Sequence, residues 1–190
     1  MRSIAMFSVV LLKIIDLSNC WVFTDVNYVK LARMVDHDED MQLTDDELRK
    51  LKFSLIYPGT KWCGPGNVAD DFDDLGVAKD TDMCCRAHDN CPGVIPAGET
   101  KFNLTNEAFY SRLSCECDEE FRQCLHKVDS KVSSQIGSIY FNALGQECYR
   151  KDYPIKSCRK RGGWLSRKCL EYEYDKNGEQ KYQWFYVPNY

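Results

Sequence analysis

A histidine and an aspartate stand side by side in a run of eight residues that also contains three cysteines. The run is Cys84-Cys85-Arg86-Ala87-His88-Asp89-Asn90-Cys91. A histidine held by a carboxylate keeps one ring nitrogen as a donor and leaves the other as an acceptor, which is the arrangement of a general base. On a helix Asp89 points about 100° away from His88, so its carboxylate is available to a cation. The run therefore combines a disulfide scaffold with acid–base and metal chemistry.

A glycine-rich segment supplies the rest of a candidate cation site. Its sequence is Trp62-Cys63-Gly64-Pro65-Gly66-Asn67. Glycine lets the backbone approach a ligand closely, and Cys63 can tie the segment to a helix. Main-chain carbonyls together with an aspartate suit calcium, which takes roughly 6 to 8 oxygen ligands. Because no serine or cysteine nucleophile is evident beside the histidine, the base is expected to activate water.

Three helices are predicted to position these groups. The first runs from about Thr81 to Cys91, with Thr81 or Asp80 as N-cap and Pro92-Gly93 after its end. The second runs from Thr105 to about Lys127, with one apolar stripe. The third runs from Asp129 to Leu144 and turns Val132, Ile136, Ile139 and Tyr140 inward.

The C-terminal part is predicted to be rich in strands. Leu170 to Tyr174 and Gln180 to Val187 flank Asn177-Gly178, which predicts a β-hairpin. Between Ile155 and Leu170 there are six basic residues and no acidic one. A solvated loop is the preferred interpretation of that segment, and a patch for anionic surfaces is the alternative.

Cysteine spacing predicts how two helices are joined. Cys84 and Cys91 are seven residues apart, as are Cys117 and Cys124, which is about two helical turns. In an antiparallel helix pair, facing residues have a constant sum of residue numbers, and the pairs 84–124 and 91–117 share one sum. Two disulfides could therefore clamp the two helices in a single register.

The same register brings carboxylates to the histidine. His88 would sit opposite Glu120, with Asp118 about half a turn away and within reach of the imidazole. An acid and a base would thus meet across the clamp.

Length, charge and cysteine usage limit the class of protein. The 190 residues suit one domain with processed segments, and the net charge of −4 predicts no attraction to nucleic acid. Residues 1–20 are predicted to be a signal peptide, 21–54 a propeptide and 55–190 the folded domain. Cleavage near Cys20 would leave ten of the eleven cysteines, an even number typical of a secreted, extracellular protein.

Two alternative metal sites arise from other patterns. The acidic run from Asp36 to Glu47 has the spacing of a calcium-binding helix-loop-helix, but Met41 stands where the sharp turn calls for glycine. A capping box from Thr44 to Glu47 is the competing interpretation. A zinc module of Cys84, Cys85, His88 and Cys91 would need reduced thiolates, against which the secretory signal argues.

Six segments resemble the secreted phospholipases A2 of the bee-venom type, also called group III. They are YPGTKWCGPGN (57–67), TDMCCRAHDNCP (81–92), AGETKFNLTN (97–106), RLSCECDEEFRQCL (112–125), IYFN (139–142) and YQWF (182–185). The resemblance covers nearly the whole of 56–190. It implies a mainly α, disulfide-rich fold with an antiparallel helix pair, a third helix, an N-terminal calcium-binding loop and a C-terminal β-hairpin.

The resemblance also implies roles for individual residues. One calcium ion would be held by the carbonyls of Trp62, Gly64 and Gly66 and by the Asp89 carboxylate. His88 would be the general base, oriented by Asp118, with Tyr140 hydrogen-bonded to that aspartate. The implied disulfides are Cys63–Cys85, Cys84–Cys124, Cys91–Cys117, Cys115–Cys148 and Cys158–Cys169, of which two match the pairs expected from spacing.

The implied activity is calcium-dependent hydrolysis of the sn-2 ester of a glycerophospholipid, giving a fatty acid and a lysophospholipid. The expected partner is a phospholipid membrane surface, bound peripherally by a monomer. A catalytically silent relative that binds a receptor or a membrane is the alternative, although such relatives usually lack the histidine or the aspartate. A venom toxin and a glycoprotein modified at Asn103 are further readings that the sequence leaves open.

Overall fold

The computed structural model describes residues 55–108, 110–162 and 168–190. All of these lie in the second of the two units into which the chain divides, Asp40–Tyr190. The predicted signal peptide 1–20, the propeptide 21–54 and the acidic pattern from Asp36 to Glu47 fall outside the described residues.

The described residues form three α-helices, the number predicted, and a further π-helical segment. They are α1 (Lys79–Asp89), α2 (Cys115–Val128) and α3 (Lys131–Gly137), and α3 continues into the π-helix Ser138–Ala143. Within the described ranges no helix combines the length and apolarity needed to cross a bilayer.

Helix α1 begins two residues earlier than the sequence predicted. Its N-cap is Ala78, which offers no side-chain cap, and neither Asp80 nor Thr81 takes that role. Asp82 is instead buried and directed into the loop before the helix. The helix ends at Asp89, before Pro92, as expected from the missing amide of proline.

The first ten residues of the predicted second helix, 105–114, are not helical where the structure describes them. Residues that were expected to begin it form strands and an irregular turn, and α2 starts only at Cys115. Asn106 is fully buried, and its amide donates to the carbonyls of Ile95 and Tyr110, which fixes the chain in a turn. The helix then starts where the hydroxyl of Ser114 accepts the amide of Cys117.

The third helix differs from the predicted range Asp129 to Leu144: it starts at Lys131, and its second half is π-helical. Asp129 is the left-handed C-cap of α2, and Ser130 and Ser133 form a capping box that starts α3. Further along, the amide of Leu144 donates to the carbonyl of Ile139, five residues back. This wider turn rotates the side chains after Gly137 relative to an α-helix.

In the part of the chain that the structure describes, eight strands form four antiparallel pairs. The strands are β1 (Val94–Ile95), β2 (Thr100–Lys101), β3 (Leu104–Thr105), β4 (Arg112–Leu113), β5 (Glu147–Asp152), β6 (Ile155–Gly162), β7 (Lys168–Tyr174) and β8 (Lys181–Tyr186). The pairs are β1 with β4, β2 with β3, β5 with β8 and β6 with β7.

The predicted hairpin around Asn177-Gly178 is wrong, although both of its strands exist. β7 pairs with the preceding β6, and β8 pairs with β5. The turn itself forms, since the amide of Gly178 donates to the carbonyl of Asp175. However, neither Asn177 nor Gly178 has the positive φ that a two-residue hairpin turn of type I′ requires.

The basic segment between Ile155 and Leu170 is not a loop throughout. It contains β6 and the start of β7, and the basic side chains of β6 face acidic ones across the pair. The ion pairs are Lys156–Asp175 at 3.4 Å, Arg159–Glu173 at 3.7 Å and Lys160–Glu171 at 3.4 Å. Local pairing therefore offsets much of the positive charge that the sequence displays in isolation.

Among the described residues, five disulfides connect the elements around the core. They are Cys63–Cys85, Cys84–Cys124, Cys91–Cys117, Cys115–Cys148 and Cys158–Cys169, the five pairs that the resemblance implied. The core between them is built from the α2 residues Phe121 and Leu125, the π-helical Phe141, and Phe185 and Val187 near the C-terminus. Disulfides and a compact aromatic core together stabilise a domain of this size.

A fully buried lysine links the π-helix to the C-terminal segment. The ammonium group of Lys168 donates to the carbonyls of Phe141 and Val187 and to the side-chain oxygen of Asn189. Burial lowers the pKa of Lys168. Its three hydrogen bonds use all three of its donors, which is the condition under which a buried charge is tolerated.

We expect Lys168→Met to destabilise the domain by about 2–4 kcal/mol, because two buried carbonyls lose a charged donor. Lys160→Met is the matched control on the paired strand, where an exposed ion pair contributes about 0–1 kcal/mol. Equilibrium unfolding in urea with intact disulfides measures both. Equal effects of the two substitutions would contradict the role assigned to Lys168.

Candidate active site

Three side chains from three elements meet at the centre of the candidate site. Nε2 of His88 lies 2.8 Å from Oδ1 of Asp118, and the Tyr140 hydroxyl donates to the same oxygen at 2.7 Å. The hydroxyl is also 3.4 Å from the histidine nitrogen. The structure thus brings together the histidine, aspartate and tyrosine that the resemblance named, while Glu120, expected opposite the histidine, is exposed.

Two disulfides hold the histidine and the aspartate at this distance. Cys84 and Cys91 bracket His88 on α1, and they are bonded to Cys124 and Cys117 on α2. Asp118 directly follows Cys117. The two disulfides therefore fix the relative orientation of α1 and α2 on both sides of the hydrogen bond between His88 and Asp118.

The π-helix places the tyrosine. Tyr140 and its neighbour Phe141 point to different environments, because Tyr140 reaches Asp118 while Phe141 is fully buried in the core. Burial, with the charge of Asp118 second, raises the pKa of Tyr140 well above its usual value. The hydroxyl therefore stays protonated and remains a donor at physiological pH.

The surroundings of the imidazole are apolar and nearly dry. The ring of His88 stacks on Phe121 at 4.4 Å and meets Tyr140 edge-on at 5.2 Å, and its side chain is only 8% exposed. Asp118 is 1% exposed, and its Oδ2 has no hydrogen-bond partner among the described residues. Because Asp118 faces Nε2, the proton belongs on Nε2 and Nδ1 is the free acceptor.

A second buried aspartate holds the loop that precedes α1. Asp82 accepts the amide of Trp62 at 2.8 Å with one oxygen, and the amides of Lys61 at 2.9 Å and Gly76 at 2.8 Å with the other. It is completely buried. Three amide donors compensate for the burial of its charge, so one carboxylate fixes two separate loop segments against the helix.

The disulfide Cys63–Cys85 completes this attachment. It joins the glycine loop to α1 one helical turn before Asp89. Gly64 is required in the loop, because a Cβ atom there would lie 2.7 Å from Ile56 and 2.9 Å from the carbonyl of Leu55. Gly66 has a φ of +77°, a conformation that favours glycine.

Asp89, at the end of α1, carries the carboxylate of the candidate cation site. Asp89 is exposed as a residue, but nearby protein atoms displace water from its carboxylate. This burial is the main cause that raises the pKa of Asp89 to about 7, and the charge of Asp82 is the second cause. A neighbouring cation would favour the ionised form. The described residues contain no group of three acidic, histidine or cysteine side chains fit to hold a metal, so other ligands would come from carbonyls or water.

The zinc alternative is wrong. Cys84, Cys85 and Cys91 are each committed to a disulfide and are not thiolates.

Asp82 and Phe121 are parts of the site that were not predicted from the sequence. For Asp82 a signal existed, since Asp82, Cys85 and Asp89 follow the i, i+3, i+7 spacing of one helix face. An aspartate on a disulfide-bearing face is expected to be buried and bonded. For Phe121 only its place on the apolar stripe was apparent.

We expect Asp82→Asn to loosen the glycine loop, because a carboxamide offers only one acceptor oxygen to the three amides. Hydrogen exchange should accelerate at Lys61, Trp62 and Gly76, and unfolding free energy should fall by about 2–3 kcal/mol. Asp80→Asn, on the exposed side of the same helical turn, is the control and should change stability by less than about 0.5 kcal/mol. Unchanged exchange at the three amides would refute this role of Asp82.

Comparison with known proteins places the chain in a family. The family model described as phospholipase A2 matches residues 56–152. A phospholipase A2 of Bombus pensylvanicus is 54% identical over 137 residues, covering 72% of this chain and all of the relative. That of Apis dorsata is 47% identical over 137 residues, which cover 72% of this chain and 100% of the relative. That of Apis mellifera is 43% identical over 150 residues, which cover 78% of this chain and 86% of the relative. The chain therefore belongs to the phospholipase A2 family of enzymes, in its bee-venom (group III) type.

Proposed function

We propose that this phospholipase A2 hydrolyses the sn-2 ester of glycerophospholipids with the help of calcium, releasing a fatty acid and a lysophospholipid. The observation that carries the proposal is the 2.8 Å contact between Nε2 of His88 and the buried carboxylate of Asp118. It leaves Nδ1 of the imidazole as the acceptor for a water proton.

The proton transfers follow from that tautomer. Nδ1 takes a proton from water as the water oxygen attacks the ester carbonyl, and the imidazolium then returns a proton to the departing glycerol oxygen. Asp118 stabilises the imidazolium, as a buried carboxylate does for a catalytic histidine. Tyr140 donates to the same carboxylate, and stacking on Phe121 restricts rotation of the imidazole. The apolar surroundings exclude other water and strengthen these charge interactions.

Asp89 and the carbonyls of Trp62, Gly64 and Gly66 are the proposed calcium ligands. The bond from Cys63 to Cys85 and the contacts of Asp82 support this assignment, because both hold the loop against the helix that carries Asp89. Bound calcium would polarise the ester carbonyl, neutralise the developing oxyanion and hold the substrate phosphate.

The amide of Gly64 is the proposed protein donor to the oxyanion. In the structure it donates instead to the carbonyl of Trp62 at 3.2 Å. That contact spans two residues, so it is easily exchanged when a better acceptor arrives.

We further propose that the enzyme is secreted as a monomer and works peripherally on a phospholipid surface. The five disulfides support an oxidising, extracellular compartment. Residues 1–20 would be removed as the signal peptide and 21–54 as the propeptide, leaving the domain 55–190.

The main test is hydrolysis of phosphatidylcholine vesicles by the oxidised mature protein, with calcium and with a chelator. We expect activity only with calcium, and a loss of about 10²–10⁴-fold in His88→Gln, the range that general-base catalysis contributes. The control is His126→Gln, which alters an exposed histidine of α2 that stacks on Tyr190. Full activity in the chelator, or in the His88 variant, would disprove the mechanism.

A comparison of Asp118→Asn with Tyr140→Phe distinguishes the residue that orients the imidazole from the residue that only supports the Asp118 carboxylate. Asparagine presents a donor to the imidazole and so favours the wrong tautomer, whereas phenylalanine removes only one of two hydrogen bonds at Oδ1. We therefore expect kcat to fall at least about tenfold further in Asp118→Asn, a difference of about 1.4 kcal/mol in barrier. Equal losses in the two folded variants would mean that the carboxylate does not set the tautomer.

A further inference from the structure

A strained turn holds the β2–β3 hairpin against the β5–β8 pair. Phe102 and Asn103, at the tip of that hairpin, have φ values of +55° and +60°. A bulky residue in the left-handed region is disfavoured and persists only where other contacts compensate. Here the Phe102 ring stacks on Tyr182 at 4.2 Å and lies 5.7 Å from Tyr149. The tip is therefore docked on the sheet by its aromatic residue.

Beside this contact lies a cleft of about 650 Å³, within the roughly 300–1,000 Å³ of protein ligand pockets. Its lining includes Asn103, Thr105, Arg112, Glu147 and Trp184. The Arg112 guanidinium stands 4.6 Å from the centre of the Trp184 ring and donates to Glu147 at 2.7 Å. Its buried Nε has no hydrogen-bond partner within the described ranges. The cleft thus combines an aromatic ring, a planar cation and a carboxylate.

The cleft carries its own attachment point for a ligand. Asn103-Leu104-Thr105 is the sole Asn-X-Ser/Thr sequence in the chain. Asn103 and Thr105 are both exposed, and both line the cleft. A left-handed asparagine at the tip of a hairpin presents its amide outward, where a transferase can reach it.

We propose that Asn103 carries an N-linked oligosaccharide and that the cleft seats its first sugars. In the transfer, the Asn103 amide nitrogen bonds to the anomeric carbon of a lipid-pyrophosphate-linked oligosaccharide. The bond from that carbon to the pyrophosphate oxygen breaks, the amide loses a proton, and the lipid pyrophosphate leaves. The proposal rests on the proposed secretion of the protein and is independent of the proposed catalytic mechanism.

The lining suits a sugar. The apolar C–H face of a pyranose packs on an aromatic ring such as Trp184. Its hydroxyls can both accept from Arg112 and donate to Glu147, which are paired in the sugar's absence. Seating the first sugars would cover the exposed side of Trp184 and lock the docked hairpin tip in place.

The first experiment tests occupancy. The full chain, with its own leader, is expressed in insect cells, and the secreted protein is digested with trypsin. The peptide from Phe102 to Arg112 should carry a glycan mass, which Asn103→Gln and Thr105→Ala abolish and Thr105→Ser retains. A secreted protein with this peptide unmodified overturns the proposal alone. A protein that fails to enter the secretory pathway overturns the proposed secretion together with it, and vesicle hydrolysis remains a separate test of the mechanism.

The second experiment tests seating. Acrylamide quenching of tryptophan fluorescence should increase at least about 1.5-fold in Asn103→Gln relative to the glycosylated protein, because Trp184 loses its cover. Because Asn103 is exposed, this comparison requires no substitution in the hydrophobic core. In addition, the glycan should raise Tm in the parent and in a Phe72→Leu control, but not in Trp184→Leu. Equal quenching with and without the glycan overturns the seating.

Discussion

The two disulfides between α1 and α2 are the constraint on which the rest of the site depends. They fix the separation, the rotation and the register of two helices, and the hydrogen bond between His88 and Asp118 lies between them. A buried carboxylate facing a histidine is costly unless geometry is good, since an incomplete pair leaves an unsatisfied charge. Covalent crosslinks supply that geometry in a domain whose core alone is small.

The site contains two buried aspartates, Asp118 and Asp82, whose hydrogen-bond partners differ. Asp118 is hydrogen-bonded to a histidine and a tyrosine, so its charge lies beside a side chain that can take up a proton. Asp82 accepts three backbone amides, so its charge holds a loop against α1. The two carboxylates therefore differ in their donors, which are side chains at Asp118 and backbone amides at Asp82.

The spacing of residues along the helices was enough to predict how α1 and α2 are joined, but the sequence did not predict which strands pair with one another. The clamp between α1 and α2 was predictable, because helix geometry turns a seven-residue spacing into a fixed register. The partners of β7 and β8 were not, because a turn at Asn177-Gly178 can form without the φ values that bring its flanking strands together. Likewise, the buried side chain of Asn106 holds a turn before α2 through its bonds to Ile95 and Tyr110, and no sign of these bonds was apparent in the helical pattern of the sequence.

Distant segments also control the tyrosine of the site. Tyr140 depends on the π-helix, whose neighbouring Phe141 is tied through its carbonyl to Lys168 of β7, and through Lys168 to the C-terminal segment at Val187. The ring of Tyr190 closes the same region, since a Cβ on Gly137 would lie only 2.3 Å from it. The π-helical region is therefore held on two sides, by the ammonium group of Lys168 and by the ring of Tyr190. Contacts from the C-terminal part of the chain thus support the segment that presents the Tyr140 hydroxyl to Asp118.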